Sequence, residues 1–343
     1  MSRLPGAFKD QAGHCERLGS PFMGQLLRLL AKHWPIDTTT ARKFDAWQGD
    51  IGPGGASLPL RLAGGLHALV LSGQDDALAA VYPPHQVSDH ALWAEVKRAL
   101  ITHDDFLNQW TDNAPQTNEV RRSATLIPAA QLVAQHFDLP LQVSELGASG
   151  GLNLMFDRFA LETDGGTLGS KSPALTLSPD WRGVMPKNTG FTVASRRGVD
   201  LNPLDAGTKK GALRLLAYLW PDQPERLART RAAIKALDAT VDRDDAISWL
   251  EQRLAQPHPG QTHLIYHTIA WQYFPEAAKQ RGTSLIEAAG NNATDQAPLA
   301  WFAFESDGRD DGAAMTLRLW PGDVTLHLGR ADFHGRWVNW QQT

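Results

Sequence analysis

Cysteine is nearly missing. Cys15 is the only one in 343 residues, so no intramolecular disulfide can staple the fold, which suits a reducing compartment. Long apolar runs are missing too. The opening MSRLPGAFKDQAGHCERLGS lacks the apolar centre of a secretory signal, and no later segment is long and apolar enough to span a bilayer. Charge of one sign is nowhere concentrated: the net charge is −4, with no like-charge block and no basic amphipathic stretch. That argues against nucleic-acid and membrane-surface roles. The expectation is a cytoplasmic soluble protein. No metal is expected, because the spacing of His258, His263 and His267 suits no zinc site. The sequence is silent on oligomeric state.

What is present is ordinary globular material, 42% hydrophobic and 20% charged, in a length that allows two modest domains. The first third has helical rhythm. PFMGQLLRLLAKHW carries one apolar stripe, Ser88 reads as the N-cap of a helix running toward Trp110, and Gly64 and Gly65 in LPLRLAGGLHALVLSG allow close helix packing. After Pro140 the rhythm becomes strand, loop, helix. Strand-like runs stand at LQVSELG, FTVAS, TVDR, THLIYHT and PLAWFAFES, and AAMTLRLWPGDVTLHLG reads as a terminal hairpin. The expected fold is α/β: a Rossmann-like, doubly wound, mostly parallel sheet over residues 139–343. A helical N-terminal cap domain over 1–138 precedes it, and a hairpin is inserted near 159–177.

SELGASGGLN, Ser144–Asn153, raises the functional question. An acid closes a strand, and three glycines and a serine follow. In a doubly wound sheet this turn lies where ligands bind, and glycine lets backbone come close to them. A turn that simply needs flexible residues is the alternative. Glu145, Gly147, Ala148, Ser149 and Gly151 are not the G-x-G-x-x-G of dinucleotide enzymes. They resemble the looser acid-x-Gly-x-(Gly/Ser)-x-Gly loop of class I S-adenosylmethionine-dependent methyltransferases. That resemblance implies S-adenosylmethionine as cofactor, with the loop and Asn153 around its methionine end and ribose. Asp200 in RRGVDLNP would accept the ribose hydroxyls, with Leu201 beside it. Asp245 and Ala246 would meet the adenine, although Asp244 and Asp245 serve equally as helix caps. His267, ending THLIYHT, is a candidate general base or a hydrogen-bonded structural residue.

QTNEVRRSA, ELGASGGLNLMFDRF, RRGVDLNPLD, YLWPDQPERL, YHTIAWQYF and FHGRWVNW together resemble one bacterial family, domain of unknown function 2332, grouped with methyltransferase-like folds. Its polar segments imply further candidates: Glu119 as a base, and Asn118, Arg122, Asp222 and Gln272 as substrate contacts. The same residues also suit caps and surface ion pairs. The leading expectation is a methyltransferase acting on a small molecule. A non-catalytic nucleotide or metabolite binder on the same fold is the second, and a hydrolase using Ser149 in the G-x-S-x-G of GASGG is the third.

Overall fold

Helical periodicity before Pro140 and strand–helix alternation after it both appear in the computed structural model, which describes residues 2–256 and 258–341. The helices are α1 (Leu4–Arg17), α2 (Pro21–His33), α3 (Thr39–Asp45), α4 (Leu58–Leu71), α5 (Asp76–Ala79), α6 (Asp89–Thr102), α7 (Asp104–Trp110), α8 (Ser123–Phe137), α9 (Lys209–Ala217), α10 (Pro224–Lys235), α11 (Ala246–Leu254) and α12 (Glu276–Asn291). The strands are β1 (Leu141–Leu146), β2 (Phe159–Thr163), β3 (Gly166–Gly169), β4 (Leu175–Leu177), β5 (Asp180–Arg182), β6 (Val193–Asp200), β7 (Thr240–Arg243), β8 (Thr262–Thr268), β9 (Leu299–Glu305), β10 (Ala313–Trp320), β11 (Val324–Ala331) and β12 (Trp337–Trp340).

These elements form two compact units. One holds the residues up to Thr117 together with Thr208–Ala228; the other holds Asn118–Gly207 and the residues from Arg229 onward. The helical unit buries Leu26, Leu27 and Leu30 of α2 with Leu58, Leu62 and Leu66 of α4. Ser88 does cap α6, its side chain accepting from the Ala91 N–H. Gly64 and Gly65 let the neighbouring side chains close in. A Cβ on Gly64 would lie 2.5 Å from the Tyr218 ring, and one on Gly65 2.8 Å from Leu107. The expected single helix from Ser88 to Trp110 breaks at His103 into α6 and α7.

The second unit is an α/β sheet structure. Among the described residues nine strands run in the order β5-β12-β11-β10-β9-β8-β1-β6-β7. The five strands β7, β6, β1, β8 and β9 are mutually parallel. The terminal hairpin β10–β11, expected around Pro321–Asp323, pairs antiparallel beside them. The chain passes from β1 outward to β6 and β7, then returns to β8 on the other side of β1. β1 is therefore where the winding reverses. Its six residues are all buried, as a strand covered on both faces requires.

Three boundaries differ from the sequence reading. Thr208–Ala228, read as part of the sheet domain, belongs to the helical unit. α8 and the segment before it, grouped with the helical cap up to residue 138, lie in the sheet unit, where α8 packs against β2, β9 and β10. The inserted hairpin is confined to β2 and β3, and β4 adds to β2 in parallel, giving a separate three-stranded sheet. The Asp164–Gly165 turn closes the hairpin well before residue 177, and Leu175–Leu177 forms β4 instead.

Gly198 of β6 fixes how closely the loop after β1 can settle, since a Cβ there would lie 2.6 Å from that of Ala148 and 3.1 Å from Leu154. Gly198→Ala should cost about 1–3 kcal/mol through overpacking, read as a lower denaturant midpoint. An unchanged midpoint would mean that the contact relaxes freely.

Candidate functional site

The loop after β1 starts from a buried acid. Glu145 is 2% exposed and its Oε2 accepts the Tyr266 hydroxyl at 3.2 Å. Burial pushes its pKa up to about 8, against the opposing pull of the Tyr266 hydrogen bond and Arg122. Burial, and then Glu145 itself, pushes the Tyr266 hydroxyl up as well. The pair is neutral at pH 7, which is the inexpensive way to hold two ionisable groups in an apolar interior.

Backbone accounting explains the loop that follows. Gly147 and Ala148 both donate to the Val199 carbonyl, at 2.9 and 3.0 Å. The Ser149 N–H donates to Oδ2 of Asp200 at 2.9 Å, whose Oδ1 accepts from Asn202 N–H at 2.9 Å. The Asp200 carboxylate thus faces the glycine loop and holds it. Gly147 and Gly151 have φ near +75°, a region that costs glycine nothing. At Gly147 a side chain would also strike Ala270, 2.6 Å away. Close packing and backbone shape account for both glycines; ligand approach is compatible with them but is not needed to explain them.

The segment 118–123 frames the loop from the other side. Asn118 Oδ1 accepts from Leu152 N–H at 2.8 Å. Asn153 donates from Nδ2 to the Glu119 carbonyl at 3.2 Å and accepts from Ser123 Oγ at 2.8 Å. Arg122 donates to the carbonyls of Phe333 and Thr268, at 3.0 and 3.1 Å, tying this segment to the end of β8. The Glu119 side chain, 3% exposed, accepts from Arg121 N–H. Asn118, Glu119, Arg122 and Asn153 are therefore brought together around Ser149–Asn153, although 27 residues separate Asn118 from Glu145 in the chain.

Other candidates meet ordinary structural demands. Asp245 N-caps α11 by accepting from Ser248 N–H, Asp244 accepts from Asp245 N–H, and Ala246 sits in the core with Trp249 and Leu250. Asp157, four residues after Asn153, pairs with Arg196. Asp222 belongs to the helical unit, where it takes the Ser20 hydroxyl and the Phe22 N–H at the start of α2.

His267 is a correction to the reading as a base. Its Nε2 takes the Trp301 indole N–H at 3.0 Å. Indole only donates, so the ring proton is on Nδ1, which donates to Glu305 Oε1 at 2.8 Å. Both nitrogens are occupied and the ring stacks on Trp271. Glu305, which no sequence motif marked, also accepts the N–H groups of Ala270, Trp271 and Gln272. Burial pushes its pKa up, but His267 and the backbone donors outweigh that and hold it below the usual carboxylate range.

Two buried polar atoms near this loop have no hydrogen-bond partner among the described residues: Ser149 Oγ and Gln272 Oε1. Ser149 has φ +54°, uncommon for a residue with a Cβ. Leu201, directly after Asp200, is 67% exposed and Tyr273 is 76% exposed.

The family model described as an uncharacterized protein conserved in bacteria, domain of unknown function 2332, matches residues 6–340. No curated protein and no solved structure matches the chain.

The raised Glu145 fixes a pH dependence. Its folded pKa of about 8 lies above the ordinary 4.5, so the stability it contributes is full below the ordinary value and is lost as pH rises toward 8. Glu145→Gln keeps an acceptor for Tyr266 and removes that loss. Relative to the natural protein it should gain roughly 1–4 kcal/mol between pH 5 and pH 8, measured by urea unfolding at both values. A difference independent of pH would remove the assignment.

Proposed function

Because the chain belongs to that bacterial family, whose description names no activity, we propose from the site itself a Rossmann-like, methyltransferase-type fold and an S-adenosylmethionine-dependent methyltransferase acting on a small molecule. One observation carries the reading. The glycine loop closes the strand at which the winding reverses, and the carboxylate ending the adjacent strand faces that loop. Crevices at such reversals, outside the carboxyl ends of parallel strands, are where α/β sheets take their ligands.

The residues fit an adenosyl group. A carboxylate offers about four acceptor sites, so Asp200 can hold the loop and accept sugar hydroxyls as well. Leu201 offers exposed apolar surface beside it for a flat base. Ser149 Oγ is a hydroxyl still to be matched, and Gly147 leaves no side chain in the way. The bound cofactor would supply an electrophilic methyl on a sulfonium. The chain's part is then to orient the two reactants and exclude water, which can account for most of the rate in an in-line displacement. His267 positions the turn after β8 in this reading; it does not take the proton.

A hydrolase built on Ser149 has less support. The activated nucleophile needs a base within hydrogen-bond reach, and Ser149 Oγ has no partner among the described residues. Of the acids later in the chain, Asp307 is engaged with Arg330 and Asp245 caps a helix.

Calorimetric titration with S-adenosylmethionine and S-adenosylhomocysteine tests the proposal. The expected result is binding by the natural protein that weakens roughly tenfold or more in Asp200→Ala, with the fold checked by circular dichroism. No heat of binding from folded natural protein would end the methyltransferase reading. Binding with no methylated product from any acceptor tried would leave a sensor on the same scaffold.

A further inference from the structure

The turn after β8 is held unusually firmly for a surface connection. Ile269 has φ +52°, and a β-branched side chain strongly disfavours that region. Its N–H donates to the Phe304 carbonyl at 2.8 Å. The next three N–H groups, of Ala270, Trp271 and Gln272, all converge on the Glu305 carboxylate at 2.9, 3.0 and 3.3 Å. The same carboxylate takes His267 Nδ1–H, and Trp301 fixes the tautomer from the far side of the ring. One side chain thus gathers four donors, three of them consecutive amides.

The turn is also a wall of the proposed site. Ala270 lies where any side chain on Gly147 would have to go, so its position sets how the glycine loop can lie. The turn carries Gln272, with its unmatched Oε1, and the exposed Tyr273. Strained backbone kept in place by surrounding hydrogen bonds is characteristic of sites where geometry must be ready before the ligand arrives.

We propose that Glu305 is the positioning residue of the ligand site: it touches no ligand, but it holds residues 269–273 in the shape against which the glycine loop and its ligand pack. This deepens the methyltransferase reading and rests on it for the identity of the ligand. The carboxylate suits the task because ionised acceptors make shorter and stronger hydrogen bonds than neutral ones. Glutamine in its place presents one oxygen and an NH2 group, which turns a donor toward the Gln272 N–H.

The test uses the full chain and S-adenosylhomocysteine as probe, with amide hydrogen exchange as a readout that needs no ligand. In Glu305→Gln the amides of residues 270–272 should exchange faster while those of β1 and β6 do not change, and the probe should bind roughly tenfold or more weakly. Should that variant fail to fold, Trp301→Phe keeps an aromatic ring, removes the donor to His267 Nε2 and should weaken binding about two- to tenfold, with the same local loss of protection. Local deprotection with unchanged affinity would overturn the proposal, as would unchanged protection at 270–272. If the natural protein binds no probe, the cofactor reading falls. The exchange data then decide the rest: faster exchange confined to 270–272 keeps Glu305 as the residue that shapes the turn, and unchanged exchange removes it.

Discussion

Backbone amides that leave a strand must find acceptors, and at the carboxyl end of β1 those of Gly147, Ala148 and Ser149 find them on β6. The Asp200 carboxylate is the most consequential of these acceptors. It takes one N–H from the loop after β1 and one from the segment after β6, joining two strand ends across the point where the winding reverses. A buried amide without a partner costs about as much as a lost hydrogen bond, so Ser149 depends on Asp200 for its shape. The segment 118–123 completes the accounting from the opposite side, through Asn118 on Leu152 and the Glu119 carbonyl on Asn153. The glycine turn is thus tied from both sides.

Two glutamates near the strand ends have their pKa values pushed in opposite directions. Glu145 meets Tyr266 and Glu305 meets His267, and because these partners are consecutive on β8 their side chains leave on opposite faces of the sheet. Glu145 has one phenolic donor and is held neutral by burial. Glu305 is slightly exposed and has four donors, which hold its pKa below the usual carboxylate range despite the desolvation it does suffer. The number of donors decides which state is cheaper. The consequence is functional as well as energetic: a neutral acid beneath the glycine loop adds no fixed charge there, while the ionised one holds the next turn rigid.

Some of this could be read directly from the chain. Glu145-x-Gly announced a strand closing into a tight turn, GVDLNP announced a second strand end with a carboxylate, and the alternation after Pro140 announced an α/β sheet. Each is a local signal, carried by residues within a few positions of each other. The caps at Ser88 and Asp245 were legible for the same reason, since a side chain bonding three residues ahead leaves its mark in the sequence. Glu305 left no such mark. It lies 38 residues from His267 and nothing around PLAWFAFES distinguishes it from any acid at a strand end.

Composition, periodicity and turn chemistry by themselves determined that the chain alternates strands and helices after residue 140, where those strands end, and which loop is rich in glycine. Only the tertiary structure decided that α8 belongs with the sheet, that β12 and β5 extend it, that Asn118 and Asn153 meet, and that His267 is locked between Glu305 and Trp301. The division has a physical cause. Helix and strand propensities act over a turn or a pleat, but which donor satisfies which acceptor depends on strand order. That order is set by packing among segments dozens of residues apart.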